Sequence, residues 1–352
     1  MGWYRDFVQN PFKTILNRLF KSRPRNTASR SKNPAKPRIG LALSSGGAKG
    51  LAHIGALQVF EENDIHIDVV TGSSMGALIA ACWGHGMTGN DMEDFAREYE
   101  GPWSWLRLID PVIFPRRGFI KGRRVRNILA EKIHNTSFED LERPIRIITT
   151  RLDTFERTIF ESGDVADAVH ASIAIPGVCQ PVKLDGIPYV DGGIVDPVPI
   201  GPLKEMNVDL IIAIKVIPDS EVVKSWILKG EPGRGEIKDR NAKGIGAWFN
   251  RHFNYFAYGN ILNTMMRSIH AAQIRIAEKS CLNADIVLKP VIPEGVWTDF
   301  SSPDKYIRVG REAATAGLDE IKKLISEFSE QGTINQGSNH EPSDQRSLAQ
   351  TH

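Results

Sequence analysis

The sequence predicts an α/β protein built around a mainly parallel sheet. Short apolar segments alternate with helix-length segments along most of the chain, and glycine-containing turns follow the first two apolar segments. This alternation is typical of parallel sheets, whose ligands bind at the carboxyl ends of the strands. A chain of 352 residues with 41% hydrophobic residues can form one large domain or two small ones, with a substantial core.

The predicted strands and helices follow from the spacing of apolar residues. Compact apolar segments at 38–44, 67–71, 145–150, 210–216 and 285–288 have the length and composition of buried strands, and a further short apolar segment at 187–190 precedes Asp191. Helix-like patterns occur at 123–134, 164–174, 256–279 and 304–328. We therefore expect a domain over residues 38–330, with an insertion at 219–252, where charges and glycines interrupt the alternation, and a disordered polar tail at 331–352.

The N-terminal residues 1–37 form a separate region by charge. Residues 1–38 hold ten Lys or Arg and one acid, Asp6, and a short apolar face is followed by a linker rich in Ser, Arg, Asn and Pro. A basic amphipathic arm of this kind predicts attachment to an anionic membrane surface. A nucleic-acid-binding tail, a targeting peptide and a helix docked on the domain itself are the alternatives, with nucleic acid disfavoured.

Cysteine usage and hydropathy set the expected compartment. The three cysteines, Cys82, Cys179 and Cys281, fit neither a disulfide framework nor a CxxC metal site, and Cys82 is expected to be a small buried hydrophobe. No apolar run approaches the roughly 20 residues of a membrane-spanning helix. We expect a cytoplasmic protein, with peripheral attachment to the inner face of the membrane as an option. The sequence does not predict an oligomeric state.

The most specific local motif is a GxSxG sequence at residues 72–76. Gly72 and Gly76 flank Ser74 between an apolar strand and an Ala-rich helix, which is the context of a nucleophile elbow. A serine at that position lies at a helix N-terminus, where backbone N–H groups favour developing negative charge. The alternative is a glycine-rich turn with an incidental serine.

A second glycine-rich turn at residues 44–50 follows the first predicted strand. Acyl transfer needs N–H donors aimed at an oxyanion, and the pair Gly46 and Gly47 lets bare backbone approach a carbonyl closely. A dinucleotide-binding loop would need glycine in place of Ser45, and a phosphate-binding P-loop would need Ser or Thr in place of Gly50.

The expected base is Asp191, which precedes Gly192 and Gly193. Taken alone, an aspartate before two glycines is more often a turn former, but a nucleophilic serine needs a proton acceptor, either a histidine or a carboxylate. In the triad alternative, His252 and His270 follow the acid in the chain. His53 and His170 are weaker candidates. No ligand cluster occurs at metal spacing, so neither a metal nor an organic cofactor is expected.

The ordered motifs resemble the patatin-like phospholipases, especially the bacterial branch similar to the catalytic domain of neuropathy target esterase. The resemblance covers roughly residues 38–310 and is carried by residues 40–86, by ASIAIPG at 171–177 and by VDGG at 190–193. It implies a three-layer fold with helices on both faces of the sheet and a Ser-Asp dyad of Ser74 and Asp191. It also implies an oxyanion hole at residues 46–50 (Gly46, Gly47, Ala48, Lys49 and Gly50), with Lys49 at the family's basic position and Ser45 where the family usually has glycine.

The predicted function is therefore a serine acyl hydrolase that acts on lipid carboxylic esters, either a phospholipase, a lysophospholipase or another lipid esterase. Two alternatives belong to other classes. One is a nucleotide-binding module that uses the glycine-rich loop. The other is a catalytically silent membrane scaffold. The sequence does not indicate which lipid ester is cut.

Overall fold

The computed structural model describes residues 36–229, apart from 102 and 115, and residues 260–337, apart from 294 and 296. Residues 37–331 form one compact unit. Residues 1–35 of the predicted arm lie outside the described residues, as do 230–259, which include His252, and 338–352.

The sheet is mixed, with its central strands parallel. Its strands are β1 (Ile39–Leu43), β2 (Val69–Ser73), β3 (Ile145–Arg151), β4 (Arg157–Phe160), β5 (Val182–Leu184), β6 (Ile187–Asp191), β7 (Leu210–Ile214) and β8 (Ile286–Leu288). Pairing follows the order β5-β6-β3-β2-β1-β7-β8, and β4 also pairs with β3. Strands β3, β2, β1, β7 and β8 pair parallel with their neighbours in this order. Strands β4 and β6 pair antiparallel with β3, and β5 pairs antiparallel with β6.

The helices follow the strands as the alternating pattern predicts. They are α1 (Ala52–Glu62), α2 (Met75–Gly84), α3 (Gly89–Arg97), α4 (Arg123–Lys132), α5 (Val165–Ser172), α6 (Ile200–Glu205), α7 (Ser220–Leu228), α8 (Ile261–Cys281) and α9 (Pro303–Gly337). Helices α1, α2, α4, α5 and α9 contribute to one core cluster, and α6 and α8 to another.

The two clusters lie on opposite faces of the sheet. In β1, Leu41 and Leu43 belong to the first cluster and Ala42 to the second, as expected when successive side chains of a strand point to opposite faces. All three are fully buried. The predicted three-layer α/β architecture, with a mainly parallel sheet and helices on both faces, is confirmed.

Two helices extend into regions where the sequence predicted none. The first part of the predicted insertion forms helix α7, whose Val223 packs against the second core cluster. Helix α9 runs to Gly337, beyond residue 331 where the polar tail was expected to begin. Extending an existing helix costs far less than nucleating one, so polar residues can prolong it.

The pairing of β3 brings the ends of β2 and β6 together. Ser73 pairs with Ile148, and Asp191 pairs with Thr149, the next residue of β3. Strand β4 pairs with the same stretch of β3 and so occupies its other edge. Strands β2 and β6 must therefore share one edge of β3 and meet end to end. This arrangement places Ser74, which follows β2, beside Asp191, which ends β6.

Candidate active site

Ser74 occupies a sharp turn between β2 and α2. Its backbone φ is 55° and its ψ is −120°, a combination that a residue with a side chain rarely adopts. The flanking glycines permit the turn. A Cβ atom on Gly72 would lie 2.3 Å from the Gly76 carbonyl oxygen, and one on Gly76 would lie 2.3 Å from the Leu43 carbonyl oxygen. Any larger residue at either position would force the turn apart.

Ser172, at the end of α5, holds this turn in place. Its hydroxyl oxygen accepts a hydrogen bond from the Ser74 N–H at 2.9 Å, and the same hydroxyl donates to the Ile148 carbonyl at 2.6 Å. Both bonds are buried. Ser172 thereby ties the unusual backbone of Ser74 to strand β3, a function that the sequence did not reveal.

The Ser74 hydroxyl donates a hydrogen bond directly to the Asp191 carboxylate. The distance from Ser74 Oγ to Asp191 Oδ2 is 2.6 Å, and the two residues are 5% and 4% exposed. Burial raises the pKa of the Asp191 carboxyl group to about 6, although hydrogen bonds from Ser74 and from the Gly193 N–H oppose the increase. A carboxylate with this pKa is a stronger base than an exposed aspartate and is still ionised at neutral pH.

The backbone around Asp191 fixes its carboxylate. The Asp191 N–H donates to the Ala174 carbonyl at 3.0 Å, and the Thr150 hydroxyl donates to the Asp191 carbonyl at 2.9 Å. The Gly193 N–H donates to the second carboxylate oxygen at 2.7 Å. A Cβ on Gly192 would lie 2.1 Å from the Ile148 carbonyl oxygen, so only glycine lets this turn pack on β3.

The glycine-rich loop begins a short 3-10 helix over Gly47–Leu51. Two of its neighbouring amides already have partners: the Ser45 N–H donates to the Pro197 carbonyl at 2.9 Å, and the Ala48 N–H donates to the Trp297 carbonyl at 2.8 Å. Within the described residues, the amides of Gly46 and Gly47 have no such partner. Ala48 is therefore occupied, whereas the glycine pair retains the free donors that an oxyanion needs.

The loop packs against the serine turn. A Cβ on Gly50 would lie 2.4 Å from the Met75 side chain, directly after Ser74, and one on Gly193 would lie 2.7 Å from the Ser45 hydroxyl oxygen. Ser45 is 3% exposed and its hydroxyl has no hydrogen-bond partner among the described residues. The three sequence motifs thus converge on one region at the carboxyl ends of the strands.

Among the described residues, Lys49, His53, His170 and His270 make no hydrogen bond with Ser74 or Asp191. Burial lowers the pKa of Lys49 to about 8. Burial, together with the Lys49 charge, lowers the pKa of His270 to about 4. His53 is buried with Nε2 2.9 Å from the Ser44 carbonyl, and His170 Nε2 lies 3.0 Å from the Lys121 carbonyl. In both pairs the Nε2–H group donates to a backbone carbonyl, so this nitrogen is not available to accept a proton from Ser74.

Three further observations concern Cys82, metal ligands and membrane-spanning helices. Cys82 is fully buried, as predicted for a small hydrophobe, and burial raises the pKa of its thiol to about 12. Across the described ranges, no group of three His, Cys, Asp or Glu residues could hold a metal ion. None of the helices in that part of the chain is both long and apolar enough to span a bilayer.

Comparison with known proteins agrees with the motifs. Residues 41–204 match the family model described as patatin-like phospholipase. An uncharacterised NTE family protein of Mycobacterium tuberculosis (strain H37Rv) is 35% identical over 195 residues, which cover 55% of this chain and 53% of the relative. The lysophospholipase NTE1 of Pyricularia oryzae is 25% identical over 296 residues, covering 82% of this chain and 19% of that protein.

Among solved structures, VipD from Legionella pneumophila matches with 12% identity and a TM-score of 0.40, over 83% of this chain and 69% of that one. The chain spans about half the length of the mycobacterial relatives it matches. Residues 41–204 are therefore similar to the patatin-like phospholipases.

Proposed function

We propose that this protein is a serine acyl hydrolase that cleaves carboxylic esters of lipids, with Ser74 as nucleophile and Asp191 as its base. The observation that supports this most strongly is the buried 2.6 Å hydrogen bond from the Ser74 hydroxyl to the Asp191 carboxylate. A serine becomes a nucleophile when an adjacent base can take its proton. The pKa of about 6 for Asp191 suits that task at neutral pH.

In the proposed reaction, Asp191 takes the hydroxyl proton as Ser74 Oγ attacks the ester carbonyl. The negative charge that develops on the carbonyl oxygen is stabilised by the Gly46 and Gly47 N–H groups. Asp191 then gives its proton to the departing alcohol, which leaves an acyl-Ser74 ester. A water molecule, deprotonated by Asp191, attacks this ester, and Ser74 recovers its proton as the fatty acid is released.

A lipid ester is the proposed substrate class. The fungal relative is named a lysophospholipase, and the matching family is that of the patatin-like phospholipases. The basic arm at residues 1–37 is proposed to bring the enzyme to an anionic membrane surface, because basic residues and a short apolar face together favour reversible attachment. The arm lies almost entirely outside the described residues, so its support comes from the sequence.

Hydrolysis of a soluble short-chain ester and of lysophosphatidylcholine tests the proposal. Ser74→Ala and Asp191→Asn should each lower kcat by about 10²–10⁴-fold or more, as expected when a nucleophile or its base is removed. Ser73→Ala is the matched control, because Ser73 is a buried neighbour whose hydroxyl has no partner among the described residues. Substantial activity in either of the first two variants would contradict the dyad. Nucleotide binding that is indifferent to Ser74 would instead favour a nucleotide-binding module.

A further inference from the structure

A hairpin at residues 110–121 carries an apolar tip on the protein surface. A bridge between Pro111 and Ile120 joins its two sides. At the tip, Ile113 is 88% exposed and Phe114 is 80% exposed. Two adjacent large apolar side chains at this exposure are unfavourably hydrated, and contiguous exposed apolar surface marks contact sites for membranes or proteins.

The surroundings of this tip are strongly basic. Residues 110–124 contain one acid, Asp110, and five basic residues: Arg116, Arg117, Lys121, Arg123 and Arg124. All five basic residues are exposed. The Asp110 carboxylate accepts hydrogen bonds from the N–H groups of Gly122 and Arg123 at the start of α4. With five basic residues against one acid, residues 110–124 carry a formal net charge of +4, and Arg116 and Arg117 follow the apolar tip closely in the chain.

The hairpin is attached to the segment that supports the proposed base. The N–H groups of Phe119 and Ile120 both donate to the Val178 carbonyl, at 2.8 and 3.0 Å. Four residues before Val178, the Ala174 carbonyl accepts the Asp191 N–H. A surface that binds the tip is thus linked to the candidate active site through a few residues of chain.

We propose that the tip of the 110–121 hairpin docks on an anionic lipid surface, with Ile113 and Phe114 inserted at the boundary of the acyl chains. The flanking basic residues then lie at the level of the anionic headgroups. Apolar insertion combined with a basic cluster is the pairing that gives peripheral proteins stable but reversible attachment. The choice of a lipid rather than a protein partner rests on the proposed lipid substrate. This contact is separate from the one proposed for residues 1–37.

Vesicle flotation with the full-length protein tests the docking surface. The double variant Ile113→Asp/Phe114→Asp should bind phosphatidylglycerol/phosphatidylcholine vesicles about tenfold or more weakly than wild type, because charged side chains do not enter the acyl boundary. Leu282→Asp is the matched control, since Leu282 is 84% exposed just after α8 and should be replaceable without loss of binding. Arg116→Gln/Arg117→Gln should weaken binding to the anionic vesicles and reduce its sensitivity to salt.

Each outcome decides the proposal. Equal vesicle binding by wild type and the Ile113→Asp/Phe114→Asp protein overturns it, as does an equal loss in Leu282→Asp. If wild type ignores vesicles but self-associates, and the double substitution abolishes this, the tip is a contact between copies of the chain. Circular dichroism checks that each variant is folded before its vesicle binding is compared. If neither wild type nor the variants hydrolyse the short-chain ester, that result counts against the proposed function, and the comparison of vesicle binding still holds.

Discussion

Replacing Asp191 with asparagine should change the stability of the protein in a pH-dependent way. In the folded protein, burial raises the pKa of the Asp191 carboxyl group from 3.8 to about 6. The folded state therefore holds this proton more tightly than the unfolded chain does between these two values. Because the unfolded chain releases the proton first, the free energy of unfolding of wild type falls as pH rises through this window and becomes constant above it.

The two pKa values determine the size of the effect. From about pH 5 to about pH 8, wild type should lose about 1.4 kcal/mol of unfolding free energy through this carboxyl group. The Asp191→Asn variant should not show this loss of unfolding free energy, because asparagine does not titrate. For the compact unit of 295 residues, 1 kcal/mol corresponds to about 1.6 °C in Tm, so the Tm of the variant should gain about 2 °C on wild type over this pH interval.

Thermal unfolding followed by circular dichroism at the two pH values measures this difference. Asp185→Asn, which removes an exposed carboxyl group from the turn between β5 and β6, is the control for loss of a carboxyl group at the surface. The comparison does not depend on activity. A Tm difference between Asp191→Asn and wild type that is the same at both pH values would refute the raised pKa and, with it, the strengthened base.

Four further predictions follow from the geometry of the site. The kcat/KM for a soluble ester should rise with pH through an apparent pKa of about 6 and then level off, because Asp191 must be ionised to accept a proton; a profile flat down to pH 5 would contradict this. Ser172→Ala leaves the buried Ser74 N–H without its partner and should cost about 1–3 kcal/mol in unfolding free energy, with a drop in kcat larger than any change in KM. Ser45→Ala should raise the unfolding free energy by about 1 kcal/mol in chemical denaturation, because it removes a buried hydroxyl that has no partner among the described residues; a loss of stability would mean that the hydroxyl is paired. His170→Ala and His270→Ala should each keep substantial esterase activity, and near-total loss in one folded variant would point to a triad.

Much of the fold could be predicted because the buried strands and their turns are local features. Strands β1, β2, β3, β7 and β8 lie within the predicted apolar segments or extend them by no more than two residues, and β6 extends its segment by one residue. Gly72 and Gly76 indicated a tight turn, and a Cβ at either position would indeed clash with a backbone carbonyl oxygen. Short-range patterns of this kind determine each element, and the alternation of elements determines the layers.

The contacts that assemble the site could not be predicted from local patterns. Ser74 meets Asp191 because β2 and β6 abut along one edge of β3, and nothing in the sequence shows that β6 runs antiparallel there. The Ala48 amide, expected in the oxyanion hole, is bonded to the distant Trp297 carbonyl. Ser172 carried no local signal, because its partners are the Ser74 N–H in the turn after β2 and the Ile148 carbonyl in β3.

Labelling with a fluorophosphonate, followed by mass spectrometry of the digested protein, tests the central proposal most directly. A fluorophosphonate reacts with an activated serine and leaves a stable adduct on it. We predict one adduct on wild type, located on Ser74, and no adduct on folded Asp191→Asn, because the serine then lacks its base. An adduct on any other residue, or undiminished labelling of Asp191→Asn, would contradict the assignment of Ser74 and Asp191.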